Sequence, residues 1–554
     1  MSSARPPQEP LPPDGGTDVA AEVVTEVIVA GGGPVGLTLA HELGARGIGC
    51  VLIEPRAEAE LASPRCKQIN PRSMEIYRRL GLAGAIRDNA RLPFGWSDSV
   101  VFCSSLTGPG IERFDGVFSL SDPPAPELAE PAQWCAQSRV EEALRATLPR
   151  RGTVLARWGW TVTGVEQDAD GVTAVAVDAE GRERRVRGAF LVGADGARSV
   201  VRRAAGIPLS GRSHEVRNVQ AIFRAPGLSA AHRHGRAVQY WVVNQEVNGL
   251  LGTLDTQDTW WAIVVGAPEN ADREWFGRAV HTMIGAEFPV EVRAVDPWTA
   301  RMLVADRYRE GRCFLAGDAA HQNPPWGGFG ANTGIGDAAD LGWKLAAALR
   351  GWGGERLLDS YEAERRPMAL RAIAEAERNM RVLTGELAAP GLDTDGEEGE
   401  ALRAKAAELI RQTKVPETYT AGFVLGASYA GSPLIAEGDE GPDPASETSL
   451  YRPSGAPGSR LPHRWLDRAH SLYDLLGPGF TLLEVGAPDA GEWDAAAAAR
   501  GVPFTRYRLN RPDLHGLYGA RYVLVRPDGF VAWRGDEVPS AAAAGAVLDR
   551  ARGA

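Results

Sequence analysis

The chain has 554 residues, 44% hydrophobic and 24% charged, the composition of a soluble globular protein with two to four domains. A net charge of −11 at pH 7 argues against nucleic acid as the main partner, and no apolar run is long enough to span a bilayer. Five cysteines without a CxxC pair and nine histidines without HExxH argue against a disulfide framework and a metal site, so a reduced, cytoplasmic setting is expected.

Residues 1–24, rich in Pro, Gly and acidic side chains, read as a disordered leader. Residues 25–55 read as strand, glycine turn, helix and strand, a βαβ unit. Its turn carries Gly31-x-Gly33-x-x-Gly36, with Pro34 and Val35 inside the motif. The first glycine permits the tight turn, the second lets the backbone approach a pyrophosphate, and the third lets helix and strand pack closely. Glu54, ending the second strand, is placed to accept hydrogen bonds from ribose hydroxyls and favours a ribose without a 2′-phosphate. No second GxGxxG follows, so one tightly bound dinucleotide is expected.

A second apolar run ends in Gly193-Ala-Asp195-Gly. From about 210 to 300 the pattern alternates, as in an antiparallel sheet with turns near Asn248-Gly249 and Thr256–Asp258. Tyr240 and Trp241 fall there on opposite faces, and either one suits an aromatic pocket or a β core. Near residue 312 the strand–loop–helix style returns in "CFLAGDAAHQNPPWGGFGANTGIGDAADLGWKL". Glycines in such a loop allow close approach, and the helix start after it offers free N–H groups to an anion. The polar region at 355–414 reads as helical, its acidic run "DTDGEEGE" as a solvated loop, and Pro/Gly/Ser-rich 441–462 as a linker. Residues 463–554 read as a small α/β domain with a hairpin at Asp528-Gly529.

The three motifs in this order resemble those of single-component FAD-dependent aromatic hydroxylases, most of all the phenol and chlorophenol branch and the polyketide hydroxylases of actinomycete pathways. "SPRCKQINPRSMEIYRRLGL" (63–82), "CAQSRVEEAL" (135–144) and "LLDSYEAERRPMA" (357–369) add to the resemblance, which covers nearly the whole chain. It implies an α/β fold with a Rossmann-type FAD-binding domain over 25–440, an interleaved β-rich substrate domain, and a thioredoxin-like C-terminal domain. With no cysteine after Cys313, that last domain has no thiol chemistry and is left a packing or homodimerising role.

The resemblance further implies that FAD is the cofactor, that NAD(P)H is a transient co-substrate, and that O2 and a small aromatic are substrates. Hydroxylation would proceed through a flavin C4a-hydroperoxide. Baeyer–Villiger insertion and a non-catalytic flavin-binding protein are the alternatives. Arg65 and Gln137 match positions that touch the pyrophosphate or ribityl chain, with Arg139 close by, and Asp195 matches one that mixes FAD and nicotinamide contacts. Gly317 and Asp318 would meet the ribose. Pro325, Gly328, Gly330, Ala331 and Asn332 would seat the flavin, with Pro325 near C4a. His321 is the candidate base by residue type, against a structural role fixing the loop. Asn323 and Gln68 stand where relatives often carry histidine and an aromatic residue, and Gly336 and Asp340 where many carry Gln and Asn.

Overall fold

The computed structural model describes residues 23–60, 67–381, 387–436 and 447–554. Most of the 1–24 leader, Arg65, Cys66 and the first residues of the 441–462 segment lie outside these.

The apolar runs VIVA, CVLIE and FLVG leave no face for water, so both faces of their sheet must be covered. Among the described residues this sheet runs Arg309–Glu310, Cys313–Leu315, Phe190–Gly193, Val27–Ala30, Cys50–Glu54, Val154–Trp158. All neighbours pair in parallel except the 309–310 edge. The Pro34–Ala45 helix packs on it and along the Phe329–Leu349 helix. Their approach is close enough that a Cβ on Gly342 would meet Glu42 Cβ at 2.7 Å. The three glycine motifs therefore leave the carboxyl ends of three adjacent strands, where open parallel sheets bind ligands.

A second sheet runs His321–Gln322, Glu291–Ala305, Leu209–Arg224, Thr259–Val265, Asn248–Thr253, Gln239–Val243, Val100–Cys103, Gly110–Phe114. The alternating region supplies its centre, but strands at 100–114 and 321–322 complete it, pairings that no local pattern reveals. Asn248 and Gly249 begin a strand rather than turn. The turn lies at 244–247, where Asn244 Oδ1 accepts from the N–H groups of Glu246 (3.1 Å) and Val247 (2.8 Å). One face of this sheet packs on the Arg273–Ile284 helix and the other looks toward the glycine-rich loop.

The acidic run at 393–400 is only half loop: Glu397, Glu398 and Glu400 form the first turn of the Glu397–Thr418 helix, where the helix dipole favours negative charge. The described part of the segment read as a linker is anchored, with Arg460 and Leu461 buried and Ser459 bridging to Ser428. Beyond it stands a four-stranded sheet in the order Phe504–Leu509, Phe480–Val485, Tyr522–Val525, Val531–Gly535.

This C-terminal unit is joined to the rest by buried charge. Arg526, fully buried, donates to both Glu364 oxygens (2.6 and 2.7 Å), to Asp340 (3.1 Å) and to Asp528 (2.7 Å). Lys344 donates to Asp340 (2.8 Å) and Glu364 (2.6 Å). The three carboxylates thus surround two protein cations. Burial, reinforced by Glu364 and Asp528, pushes the Asp340 carboxyl well up, whereas Arg526 and Lys344 overcome burial and hold Glu364 low.

Two outcomes follow for thermal denaturation. Arg526→Ala takes from buried Asp528 its ion-pair partner while Lys344 still holds Glu364, and should cost about 3–5 kcal/mol. Asp340→Asn replaces one of the two accepting oxygens with an NH2 turned toward a cation, and should cost about 1–3 kcal/mol.

Candidate active site

The first loop shows three distinct glycine environments. Gly31 has φ +108°, and a Cβ there would lie 2.2 Å from the Ala194 carbonyl oxygen, so only glycine lets the first and second motif loops touch. A Cβ on Gly36 would lie 1.9 Å from the Gly31 carbonyl oxygen, which fixes how closely the helix meets its strand. At Gly33 nothing lies within 4 Å, so this face is open. Gly33, Pro34 and Val35 are the partly exposed members of an otherwise buried turn.

Glu54 is buried, and its Oε2 accepts from Gly32 N–H at 2.5 Å. Its Oε1 accepts from Arg56 Nε at 2.6 Å, and Arg56 reaches on to Glu141 at 2.7 Å. Gln137, the first residue of the Gln137–Thr147 helix, donates to Glu141 at 2.9 Å. Glu54 and Gln137 are therefore brought into one network with the first loop. Arg139 is not part of it; it pairs with Glu142 at 2.7 Å.

In the second loop, Asp195 Oδ2 accepts from the N–H groups of Val200 (2.7 Å) and Val201 (3.2 Å), securing the next helix start. Its Oδ1 is buried without a hydrogen-bond partner among the described residues.

In the third loop, Val35 packs onto Gly317 and Gly334, whose added Cβ atoms would meet it at 2.9 and 2.5 Å. Asp318 is exposed between the buried residues Gly317 and Ala319, and Pro325 is exposed beside buried Trp326. Gly328 is the N-cap of the Phe329–Leu349 helix, with no side-chain cap and no acidic residue in the first turn. The Gly330 and Ala331 amides thus stand at a start that offers N–H groups to an anion. Asn332 is turned inward: its amide donates to the Gln68 (3.1 Å) and Gly328 (2.8 Å) carbonyls and accepts from Ser73 (2.7 Å) and Asn70 N–H (3.0 Å). Asn323 Oδ1 lies 3.2 Å from where a Gly330 Cβ would stand.

His321 is buried, and its Nε2–H donates to Asp337 at 2.8 Å. Asp337 also accepts from Gly317 N–H (3.1 Å) and Arg365 Nε (2.8 Å). Burial alone would raise the Asp337 carboxyl, but the hydrogen bond from His321 and the Arg365 guanidinium hold it below the usual carboxylate range. Through Nε2, His321 ties the third loop to the Phe329–Leu349 helix. A Cβ on Gly336 would meet Arg365 Nη2 at 2.7 Å, so the glycine that departs from the family pattern makes room for this arginine.

Above the third loop lies an aromatic roof. Trp241 packs on Trp326 at 5.7 Å between centroids and stacks on Phe102 at 5.6 Å. Trp261 belongs to the same cluster. Tyr240, the other candidate, faces away: its hydroxyl donates to the Gly235 carbonyl (2.6 Å), accepts from Ala237 N–H (2.9 Å), and lies with Trp260 on the reverse face. Strand alternation separated the pair, but only the packing shows which face meets the loop. Two cations lie against the roof: Lys67, within the 63–82 stretch, whose Nζ lies 4.4 Å from the Trp261 ring, and Lys414, 4.7 Å from Trp241.

These features fit FAD. An open glycine face, a buried carboxylate oxygen awaiting a donor at Asp195, an exposed Asp318 and an uncapped helix start converge at one sheet edge.

Comparison with known proteins agrees. A family model described as an FAD binding domain matches residues 24–376, and one described as the C-terminal domain of aromatic-ring hydroxylases matches 454–554. A putative polyketide hydroxylase of Streptomyces halstedii is 35% identical, over 92% of this chain and 93% of its own. The rebeccamycin biosynthetic enzyme RebC with reduced flavin has a TM-score of 0.88 at 36% identity, covering 96% of this chain and 99% of that one. A ternary complex of aklavinone-11 hydroxylase with FAD and aklavinone has a TM-score of 0.80 at 30% identity, covering 96% and 99%.

Asp318→Ala should weaken FAD binding about 10- to 100-fold, the loss of a charge-assisted hydrogen bond, measured by titrating the apoprotein. Tyr240→Phe should cost about 1–3 kcal/mol of stability, through the unpaired Ala237 N–H, yet leave turnover unchanged. Trp241→Ala should lower turnover.

Proposed function

From the premise that the chain belongs to the FAD-dependent aromatic hydroxylases, we propose that it is a monooxygenase for a multi-ring aromatic of polyketide type. The carrying observation is the convergence of three loops at the ends of adjacent parallel strands beneath a tryptophan-lined sheet face. The names of the relatives, which include polyketide hydroxylases and a complex with aklavinone, support the substrate class.

Bound FAD supplies the redox chemistry: reduction by NAD(P)H, reaction with O2 and delivery of one oxygen atom to the ring. The chain's residues bind, orient and shield. The Gly31–Gly36 turn receives the pyrophosphate at its open Gly33 face and the start of the Pro34–Ala45 helix. Glu54 and Asp318 accept from ribose or ribityl hydroxyls, and Gln137 lies beside them. The Gly330 and Ala331 amides face the isoalloxazine, where an uncapped helix start stabilises the negative charge of the reduced ring. Pro325 presents a rigid apolar edge there, with no N–H to be left unpaired. The roof excludes water, which protects a reactive oxygen species from unproductive decay. The C-terminal unit is read as thioredoxin-like in strand–helix order, and its role is to brace the Phe329–Leu349 helix through Arg526.

The test is direct. The purified protein should be yellow, should bleach with NADH or NADPH in the absence of oxygen, and with labelled O2 should place one labelled atom in the product from a panel of phenols and polycyclic aromatics. Bleaching with all oxygen released as peroxide for every compound would make it a reductase. No bleaching would make it a flavin carrier.

A further inference from the structure

Trp134 is buried, and its indole N–H has no hydrogen-bond partner among the described residues. The same residue borders a cleft of about 220 Å³. Leu92, Leu120 and Val238 supply apolar walls, and Phe94 and Trp96 close one side. Their turn is held from outside: Trp96 N–H donates to the Pro93 carbonyl (3.1 Å), Arg87 lies over the Phe94 ring (5.4 Å) and Arg236 over Trp96 (5.9 Å). No lining side chain is charged, and the two other polar ones are already bonded. Gln133 accepts from Arg87 (3.0 Å) and donates to the Leu92 and Trp134 carbonyls (3.2 Å each). Ser97 Oγ donates to the Arg236 carbonyl and accepts from Ser99 N–H (3.2 Å each). Phe118 stacks on the Trp134 ring at 6.2 Å between centroids. The cleft adjoins the flavin site. Trp134 pairs with Gln68 across a short antiparallel ribbon, so the two side chains share a face, and Gln68 Oε1 lies 2.9 Å from where a Gly328 Cβ would stand. Trp134 and Val238 also belong to the cluster of Trp241, Trp261 and Trp326.

We propose that this cleft receives the far ring of a polycyclic substrate, and that Trp134 Nε1–H donates there to an uncharged carbonyl oxygen. This rests on the hydroxylase reading and deepens it, naming a feature of the substrate away from the oxidised ring. The volume suits one ring rather than a whole polycycle, since sites for drug-sized ligands span about 300–1,000 Å³. A lone donor among apolar walls holds a water poorly, because a buried water takes about three partners. A ring ketone matches both features: its carbon framework meets the walls and its oxygen takes the N–H. A carboxylate would enter a lining that offers no cation, which is costly. A far ring without an acceptor leaves the indole N–H buried and unpaired, and a site built to hydrogen-bond a group rejects the analogue that lacks it. Trp134 thus sets specificity at a distance from the reacting atoms, and no covalent bond is made or broken there.

The test uses a tricyclic naphthol with a ketone on its saturated far ring, 6-hydroxy-3,4-dihydroanthracen-1(2H)-one, and the same molecule with CH2 in place of the carbonyl. Binding to the oxidised holoenzyme is followed through the flavin absorbance. Trp134→Phe keeps the ring and removes the N–H. It should lower the ketone-to-CH2 affinity ratio about 5- to 10-fold, the worth of one buried hydrogen bond, and leave binding of phenol, a single ring, as in the parent. Its melting temperature should match the parent's, because no bond within the chain is lost. Val238→Phe, which fills the cleft, should weaken both tricyclic probes and spare phenol. If Trp134→Phe does not hold FAD, the Val238→Phe comparison decides. An unchanged ratio in Trp134→Phe, which would mean a cleft holding solvent only, or unchanged ketone affinity in Val238→Phe, would overturn the assignment. So would no binding of the ketone by the parent. Labelled-oxygen incorporation by the parent is scored separately: its absence with every compound, while the affinity ratio behaves as expected, overturns the hydroxylase reading and not the subsite.

Discussion

The active-site architecture depends on a row of ionisable side chains buried along one helix. Asp337, Asp340 and Lys344 lie on Phe329–Leu349, and none is in water. Buried charge is tolerated only when it is paired and fully hydrogen-bonded. The partners come from distant chain segments: His321 from the third loop, Glu364 and Arg365 from the Ser360–Arg381 helix, Arg526 and Asp528 from the C-terminal unit. Each partner has one place to stand, because moving it strands a charge. The helix is thereby held in register along its length, and its uncapped first turn is fixed both by the ions behind it and by the Asn332 hydrogen bonds at its tip.

What was legible in the sequence follows from this division. The glycine motifs were readable because their demands are local: Gly31 and Gly36 are required by backbone oxygens about 2 Å from an added Cβ, a constraint that any side chain would violate. The parallel βαβ unit was readable because its apolar runs are continuous. The choice between Tyr240 and Trp241 was not, since alternation gives two faces without saying which one meets a loop eighty residues later. Arg526 and Lys67 carry no local signature at all. Both pair with distant segments, Arg526 with Glu364 and Asp340 and Lys67 with Gln220, and Lys67 sits inside a motif legible only as a resemblance.

Gly336 and Asp340 were visible in the sequence as departures from a family pattern, and the structure gives both a cause. Gly336 leaves space for the Arg365 guanidinium, which needs it to reach Asp337 and the Thr333 carbonyl (3.0 Å). Asp340 stands where Lys344 and Arg526 converge. Arg365 continues outward to the Tyr429 hydroxyl at 3.0 Å, and Tyr429 stacks on Phe530 of the C-terminal unit at 4.0 Å. A continuous polar and aromatic path therefore runs from the loop at His321 to a hairpin two hundred residues away. The C-terminal unit needs no chemistry of its own to matter to the flavin.

The seat and the roof belong to different sheets, and their separation sets how far a substrate ring lies from the oxidant. Pro325 and Trp326 fix that separation. Pro325 is exposed on the seat side, and its carbonyl accepts from Gly328 N–H at 3.0 Å, closing the turn that starts the helix. Trp326 points the other way and packs on Trp241 and Trp298, at 5.7 and 6.4 Å between centroids. Within this turn the two adjacent side chains diverge, one exposed and one buried, so one dipeptide grips both layers. A proline with its fixed φ keeps the grip stiff. The turn at 325–328 therefore ties the start of the Phe329–Leu349 helix to the tryptophan cluster of the second sheet through the backbone itself.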